Sequence, residues 1–360
     1  YSPDEDFVGE DSFTYRVNDG FSISPTKTVR IRIFNNFLDS HLKIGESIYQ
    51  DDGCRDGRNF GYAVDLSDSG QTLALSENCQ SFSDNESLPT DQVTIYRLTS
   101  GSWIQSLTRT SIPGFGASLD LSAEGNHIAV GTLRRSYSPT AGSIDIFRIS
   151  EQFTYVTGRD SYKDEYGYSV ALSESGSIAF GGAPAASDNS NSNFGEVKIL
   201  GPQKRHNNVI TSNTSDQQLG KQISISSDAK IAAVLGKDDR KILRFFEFQF
   251  GSWKEVFWNL SLAEPVNRFD DVALSADGKI LALSVRKENG NVPAVYVYKF
   301  DGTNWTPLGE PVETGFEINF QAIDLSDDGL TLAMVSKNLN NLLGVDVYRY
   351  AFGLWSKIGE

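Results

Sequence analysis

The sequence predicts an all-β chain, a β-propeller of four-stranded antiparallel blades behind a short separate β segment. Three observations predict it. A strand–turn–strand phrase, first met as Phe60-Gly61-Tyr62-Ala63-Val64-Asp65-Leu66-Ser67-Asp68-Ser69-Gly70, returns five more times, starting near residues 115, 166, 219, 269 and 320. The aliphatic residue before its turn serine steps through Leu66, Leu121, Leu172, Ile225, Leu274 and Leu325, a period of about fifty residues, which belongs to repeat folds. Helical periodicity is absent, and the apolar runs alternate with period two and are rich in β-branched and aromatic residues.

Each unit holds four strand signals. The first two form a hairpin around turns such as Ser67-Asp68-Ser69-Gly70 and Ser275-Ala276-Asp277-Gly278. There a serine bonds nearby backbone and a glycine is free to take positive φ. The fourth turn ends in Ala229 in place of glycine, so a distorted turn is expected. The third strand follows as Val93-Thr94-Ile95-Tyr96, Ile144-Asp145-Ile146-Phe147 and their later copies. The fourth is marked by Trp103, Phe153, Trp253, Trp305 and Trp355; the third unit lacks that mark around Lys204 to Ile210. Four such strands make a propeller blade. The first strand is the least charged and carries small residues, which places it nearest the axis.

Before the repeats, residues 1–35 read Tyr1-Ser-Pro3, then Phe7-x-Gly9-x-Asp11-x-Phe13-x-Tyr15-x-Val17, then Asp19-Gly20 and Val29-Arg30-Ile31-Arg32-Ile33. This signature resembles the C-terminal part of a bacterial-type Ig-like or cadherin-like tandem domain. The resemblance implies a partial β-sandwich there, and a chain cut from a longer protein. The propeller is expected over residues 36–360. Lys-Ile-Gly-Glu occurs at Lys43–Glu46 and again at Lys357–Glu360, at the fourth-strand position. With six repeats, the early copy is either spare or closes a seventh blade lying beyond Glu360. An unpaired edge is a liability, which favours the seventh blade.

The repeat phrase, followed by G-x-V-x-V-Y and a tryptophan, resembles FG-GAP-like propeller repeats of large secreted or surface proteins. Relatives that bind calcium do so through D-x-D-x-D-G loops. The turns here are too short and too poor in oxygens for six to eight ligands, so no cofactor is expected. The acidic loops at Asp51, Asp52 and Asp56 and at Asp160, Asp164 and Glu165 could hold a calcium ion, though solvated loops are the commoner outcome in so acidic a chain.

Cys54 and Cys79 flank the first hairpin, where antiparallel pairing brings strand ends together, so a disulfide is expected. Four N-x-S/T sequons, at Asn85, Asn213, Asn259 and Asn304, are glycosylation candidates. Both features point to an extracellular, cell-surface location.

A net charge of −15 repels nucleic acid and anionic lipid, and no apolar run is long enough to span a membrane. His41, His127 and His206 lie far apart, and no nucleophile, phosphate-loop or dinucleotide motif is present. Asp65, Asp120 and Asp324 recur at one position of the first strand. A glycosidase pair could stand among them, but recurrence argues for a repeated structural role, bonding the neighbouring strand's backbone. The tryptophans at one repeat position argue likewise for blade packing rather than sugar stacking. The sequence therefore reads as a non-enzymatic structural module of a secreted protein in a cell-surface assembly such as a wall, matrix or filament. Its partners would be copies of itself or other surface proteins, or glycans. The alternative is an adhesion receptor whose propeller binds a glycan or protein; a propeller-type glycoside hydrolase stands third.

Overall fold

The computed structural model describes residues 9–15, 27–33, 47–48, 58–79, 91–112, 114–133, 142–150, 153–159, 164–187, 193–201, 209–211, 217–237, 241–262, 264–288, 292–313, 322–337 and 343–358. The chain divides into a small unit, Tyr1–Lys43 together with Ile358–Glu360, and a large unit over Ile44–Lys357. In the small unit Gly9–Tyr15 pairs antiparallel with Lys27–Ile33, Gly9 opposite Ile33 and Tyr15 opposite Lys27.

The large unit is a propeller of six blades, each a sheet in which strands follow one another in sequence order. Blade 1 is Arg58–Leu66, Thr72–Cys79, Asp91–Thr99 and Ser102–Ser111. Blade 2 is Phe115–Leu121, His127–Thr132, Ser143–Arg148 and Phe153–Arg159. Blade 3 is Val170–Leu172, Ala179–Ala183, Glu196–Leu200 and Val209–Thr211. Blade 4 is Gln222–Ile225, Ile231–Leu235, Leu243–Gln249 and Ser252–Val256. Blade 5 is Val266–Leu274, Ile280–Lys287, Pro293–Phe300 and Asn304–Pro307, with Asn259–Leu260 and Val312–Glu313 added at its outer side. Blade 6 is Ile323–Leu325, Thr331–Lys337, Leu343–Ala351 and Leu354–Ile358. The third unit does have its fourth strand, though no tryptophan marks it.

Each turn serine caps its own hairpin. Ser67 Oγ accepts from Thr72 N–H at 3.1 Å and Ser275 Oγ from Ile280 N–H at 2.9 Å. The Ala229 turn is not distorted. Ala229 takes φ 51° and donates to the Ser226 carbonyl at 2.8 Å, as Gly125 donates to Ser122 at 2.7 Å. Its methyl packs in the core between blades 3 and 4, which offsets the cost of the left-handed conformation.

The core lies between blades. Among the described residues five apolar clusters join blade 1 to 2, 2 to 3, 3 to 4, 4 to 5 and 5 to 6. The tryptophans serve this packing. Trp253 of blade 4 meets Phe180 of blade 3 edge-on at 5.1 Å. Trp305 of blade 5 stacks on Phe245 of blade 4 at 5.3 Å, and Trp355 of blade 6 donates to the Leu308 carbonyl at 2.7 Å. The turns are linked too: Ser69 N–H bonds the Ala123 carbonyl, Ala123 bonds Glu174, Glu174 bonds Ser227, Ser227 bonds Ala276 and Ala276 bonds Asp327.

Neither series joins blade 6 to blade 1 among the described residues. The faces flanking that interval expose apolar side chains instead: Tyr62, Val64 and Leu66 on blade 1, Val345 and Leu354 on blade 6. Leu66 is 50% exposed, whereas its counterparts Leu121, Leu172, Leu274 and Leu325 are 5–8% exposed. The segment Leu42–Glu46, on which the seventh-blade expectation rests, lies outside the described residues. Replacing Leu274 by Ala is expected to cost about 2–5 kcal/mol, and replacing Leu66 by Ala less than about 1 kcal/mol, because only the first leaves a core cavity. Urea unfolding of both variants checks this. An equal cost at Leu66 would mean that something covers this face in solution.

Candidate functional site

The first strands converge on the axis and line a cavity of about 310 Å3, at the small end of ligand pockets, which run to roughly 300–1,000 Å3. Seven carboxylates line it: Asp65, Asp68, Asp120, Glu174, Asp271, Asp324 and Asp327. No lining residue is basic. Why the carboxylates face inward follows from the ladder. In an antiparallel pair, backbone groups point alternately to the partner strand and away from it. The first strand has no partner on its inner side, so half of its N–H groups face the axis.

Those N–H groups are what the recurring aspartates bind. Leu121 N–H of blade 2 donates to Asp65 Oδ2 of blade 1 at 2.5 Å, and Leu172 N–H of blade 3 to Asp120 Oδ2 of blade 2 at 2.5 Å. The expected repeated role, bonding the neighbouring strand's backbone, is seen directly at these two. In blade 4 a serine takes the part: Leu274 N–H donates to Ser224 Oγ at 2.9 Å. In blade 5 the position is Ala273, and Asp271, two residues earlier, reaches Ile323 N–H at 3.0 Å. Asp271 escaped notice in the sequence because it stands two residues before the position at which Asp65, Asp120 and Asp324 recur. Asp324 differs: its Oδ1 accepts from its own successor, Leu325 N–H, at 2.8 Å.

Burial and mutual repulsion raise the proton affinity of these groups. Desolvation pushes the Asp65 carboxyl up to about 7, with the Asp324 charge adding to it and the Leu121 hydrogen bond opposing it. Desolvation likewise pushes Asp271 up to about 7 against the bonds from Ile323 and Val272. Asp120 is held well above the usual carboxylate range by burial and by Asp65. Asp324 and, at the mouth, Asp68 are raised by burial and by neighbouring carboxylates. Carboxyls whose proton affinity is raised towards neutrality are suited to general acid–base chemistry.

The other expected sites do not join this one. Cys54 lies outside the described residues, and Cys79 ends the second strand of blade 1 with its backbone opposite Arg58. Asn85 and Asn213 are outside the described residues as well. Asn259 and Asn304 stand side by side on paired strands, Asn259 Nδ2 donating to Asn304 Oδ1 at 3.5 Å. Of the acidic loops, Asp51, Asp52, Asp56 and Asp160 are outside the described residues. Asp164 is half-buried, and burial, with the Asp164 charge adding to it, pushes the Glu196 carboxyl up to about 7. Among the described residues no three His, Cys, Asp or Glu side chains converge to hold a metal ion.

A family model described as a bacterial Ig domain matches residues 1–32. No curated protein sequence matches the chain. Solved structures share its fold over nearly its whole length. A protein assigned as a 6-phosphogluconolactonase from Bacteroides fragilis has a TM-score of 0.58 at 14% identity, covering 99% of this chain and 96% of that one. One of the same assignment from Bacteroides uniformis has a TM-score of 0.56 at 13% identity, covering 97% and 93%. The WD40 domain of Toxoplasma gondii coronin has a TM-score of 0.54 at 10% identity, covering 98% and 76%. The FG-GAP-like family is not confirmed by these likenesses. The expectation of a non-enzymatic structural module is corrected by them: the fold is shared end to end with proteins assigned as lactonases. The axis agrees, being an open acidic cavity rather than a packed plug.

Proposed function

We propose that the axial cavity is a hydrolytic active site for a small, uncharged cyclic ester of the sugar-lactone class. The observation that carries this reading is the set of axial carboxyls brought to neutral proton affinity around a cavity of small-molecule size. Opening a lactone needs a base to deprotonate the attacking water and an acid to protonate the departing ring oxygen. Asp324 suits the base. It is exposed to the cavity, and apart from the Leu325 amide on Oδ1 it has no protein partner among the described residues. Asp65 suits the acid, because burial and the Asp324 charge keep a proton on it near neutral pH. The water oxygen bonds to the carbonyl carbon, the ring C–O bond breaks, the water's proton goes to Asp324 and that of Asp65 to the leaving oxygen.

The charge pattern selects among lactones. With seven carboxylates and no basic lining residue, the cavity disfavours a phosphorylated substrate, and it would repel the carboxylate product and hasten its release. The phosphate in the assignment of the structural neighbours is therefore not carried over. The bacterial Ig match supports placing the reaction outside the cytoplasm. Incubating the chain with D-glucono-1,5-lactone and its 6-phosphate, and following acid release, tests the reading. Turnover of the neutral lactone at least about tenfold faster than of the phosphate is expected; no acceleration over the spontaneous rate overturns it.

A further inference from the structure

Among the described residues, one of the amides that precede a turn serine is left without an acceptor. The residue before each turn serine presents its N–H to the axis, and side-chain oxygens cap these groups. Leu66 is capped by its own Asp65, Leu121 by Asp65, Leu172 by Asp120, Leu274 by Ser224 and Leu325 by Asp324. Ile225 of blade 4 is the exception. The residue that would cap it, in blade 3, is Ala171, which has no oxygen to offer. Both Ala171 and Ile225 line the cavity.

The direction of the Ile225 N–H follows from the ladder. Ser226 N–H bonds the Ile231 carbonyl at 2.9 Å, and Ile225 stands opposite Ala232 in the next rung. Hydrogen-bonded and non-hydrogen-bonded rungs alternate. The amide of Ile225 therefore points away from its partner strand, as Leu121 does, whose N–H reaches an oxygen of the neighbouring blade. No oxygen among the described residues accepts from it. Acceptors crowd this cavity, and a free backbone donor facing it is the group that an incoming carbonyl would meet.

We propose that the Ile225 amide receives the carbonyl oxygen of the substrate and stabilises the negative charge that oxygen gains as water adds, with Ala171 keeping the position clear. The proposal rests on the hydrolytic reading above. Its value is greatest in the transition state, because an oxyanion forming among carboxylates has most need of a fixed donor.

Ala171→Ser tests it. A serine one blade further on, Ser224, already caps Leu274 with no change in charge or fold. Ala171→Gly leaves the amide open and serves as the control. In the ligand-free protein, NMR hydrogen exchange should show the Ile225 amide exchanging faster than those of Leu121, Leu172 and Leu274, and Ala171→Ser should slow it to their level. On D-glucono-1,5-lactone, kcat should fall about 10²- to 10³-fold in Ala171→Ser, while in Ala171→Gly the Ile225 amide should go on exchanging as fast as in the parent. An Ile225 amide as protected as the others in the wild-type chain overturns the proposal whatever the lactone does. So does full turnover by a capped Ala171→Ser, which would leave the hydrolytic reading standing. A wild-type chain without turnover overturns the hydrolytic reading, and the carbonyl assignment with it.

Discussion

Replacing Asp324 by Asn removes lactone turnover, lowering kcat by about 10²- to 10⁴-fold, the usual share of a general base. The amide keeps an oxygen to accept the Leu325 N–H, so the local fold survives while the base is lost. Substrate binding changes little, and KM stays within a few-fold. The same substitution at Asp327, on the neighbouring turn, is the control. Asp327 lines the mouth, and its backbone carbonyl, not its side chain, makes the link to Ala276. Steady-state kinetics of both variants decide the assignment. Equal, small losses at both positions would mean that Asp324 contributes only field.

Stability is expected to rise, not fall, as the pH is lowered from 8 towards 5. Asp65 and Asp271 hold their protons up to about 7 in the folded chain, and Asp120 and Asp324 are raised as well. In the unfolded chain an aspartate titrates near 3.9. Between about pH 4 and pH 7 the folded state thus binds more protons than the unfolded one, so unfolding free energy falls as the pH rises through this window. The contribution is complete below the unfolded value and lost above the folded one. Asp271→Asn removes one such term while keeping an oxygen for the Ile323 N–H. Its Tm should exceed that of the parent by several degrees at pH 8 and match it near pH 4. Exposed Asp228 and Asp328, held below the usual range by their serine and lysine or arginine partners, work in the opposite sense. The comparison between variant and parent cancels them. A variant no more stable than the parent at pH 8 would show that water reaches Asp271 freely.

What the chain reads out by itself is the repeat. Turn serines and glycines recur at fixed offsets because each hairpin needs the same cap and the same positive φ. Period-two alternation then assigns every blade's strands, and the recurring aspartates imply a recurring backbone partner. Such facts are local, or are repeated often enough to be averaged over six copies, so they survive without a structure. The tryptophans were legible in the same way, as packing residues at one repeat position.

The site was legible only in part. Asp65, Asp120 and Asp324 stood out as a recurrence, but that argued for structure and turned attention away from chemistry. Residues some 50 to 260 positions apart had first to be brought around one axis before their repulsion and burial could raise each other's proton affinity. Asp271 was hidden by standing two residues off the recurring position, and the Ile225 amide by a side chain that is missing rather than present. Ala229 ran against the glycine rule because its methyl is buried in the core between blades 3 and 4. The sequence by itself determined the blades, their turns and their order, since these depend on contacts within about fifty residues. Only the tertiary structure decided that the axis is an open acidic cavity and that the Ile225 donor faces it uncapped, since desolvation, charge coupling and hydrogen-bond vacancy are properties of groups from different blades meeting in space.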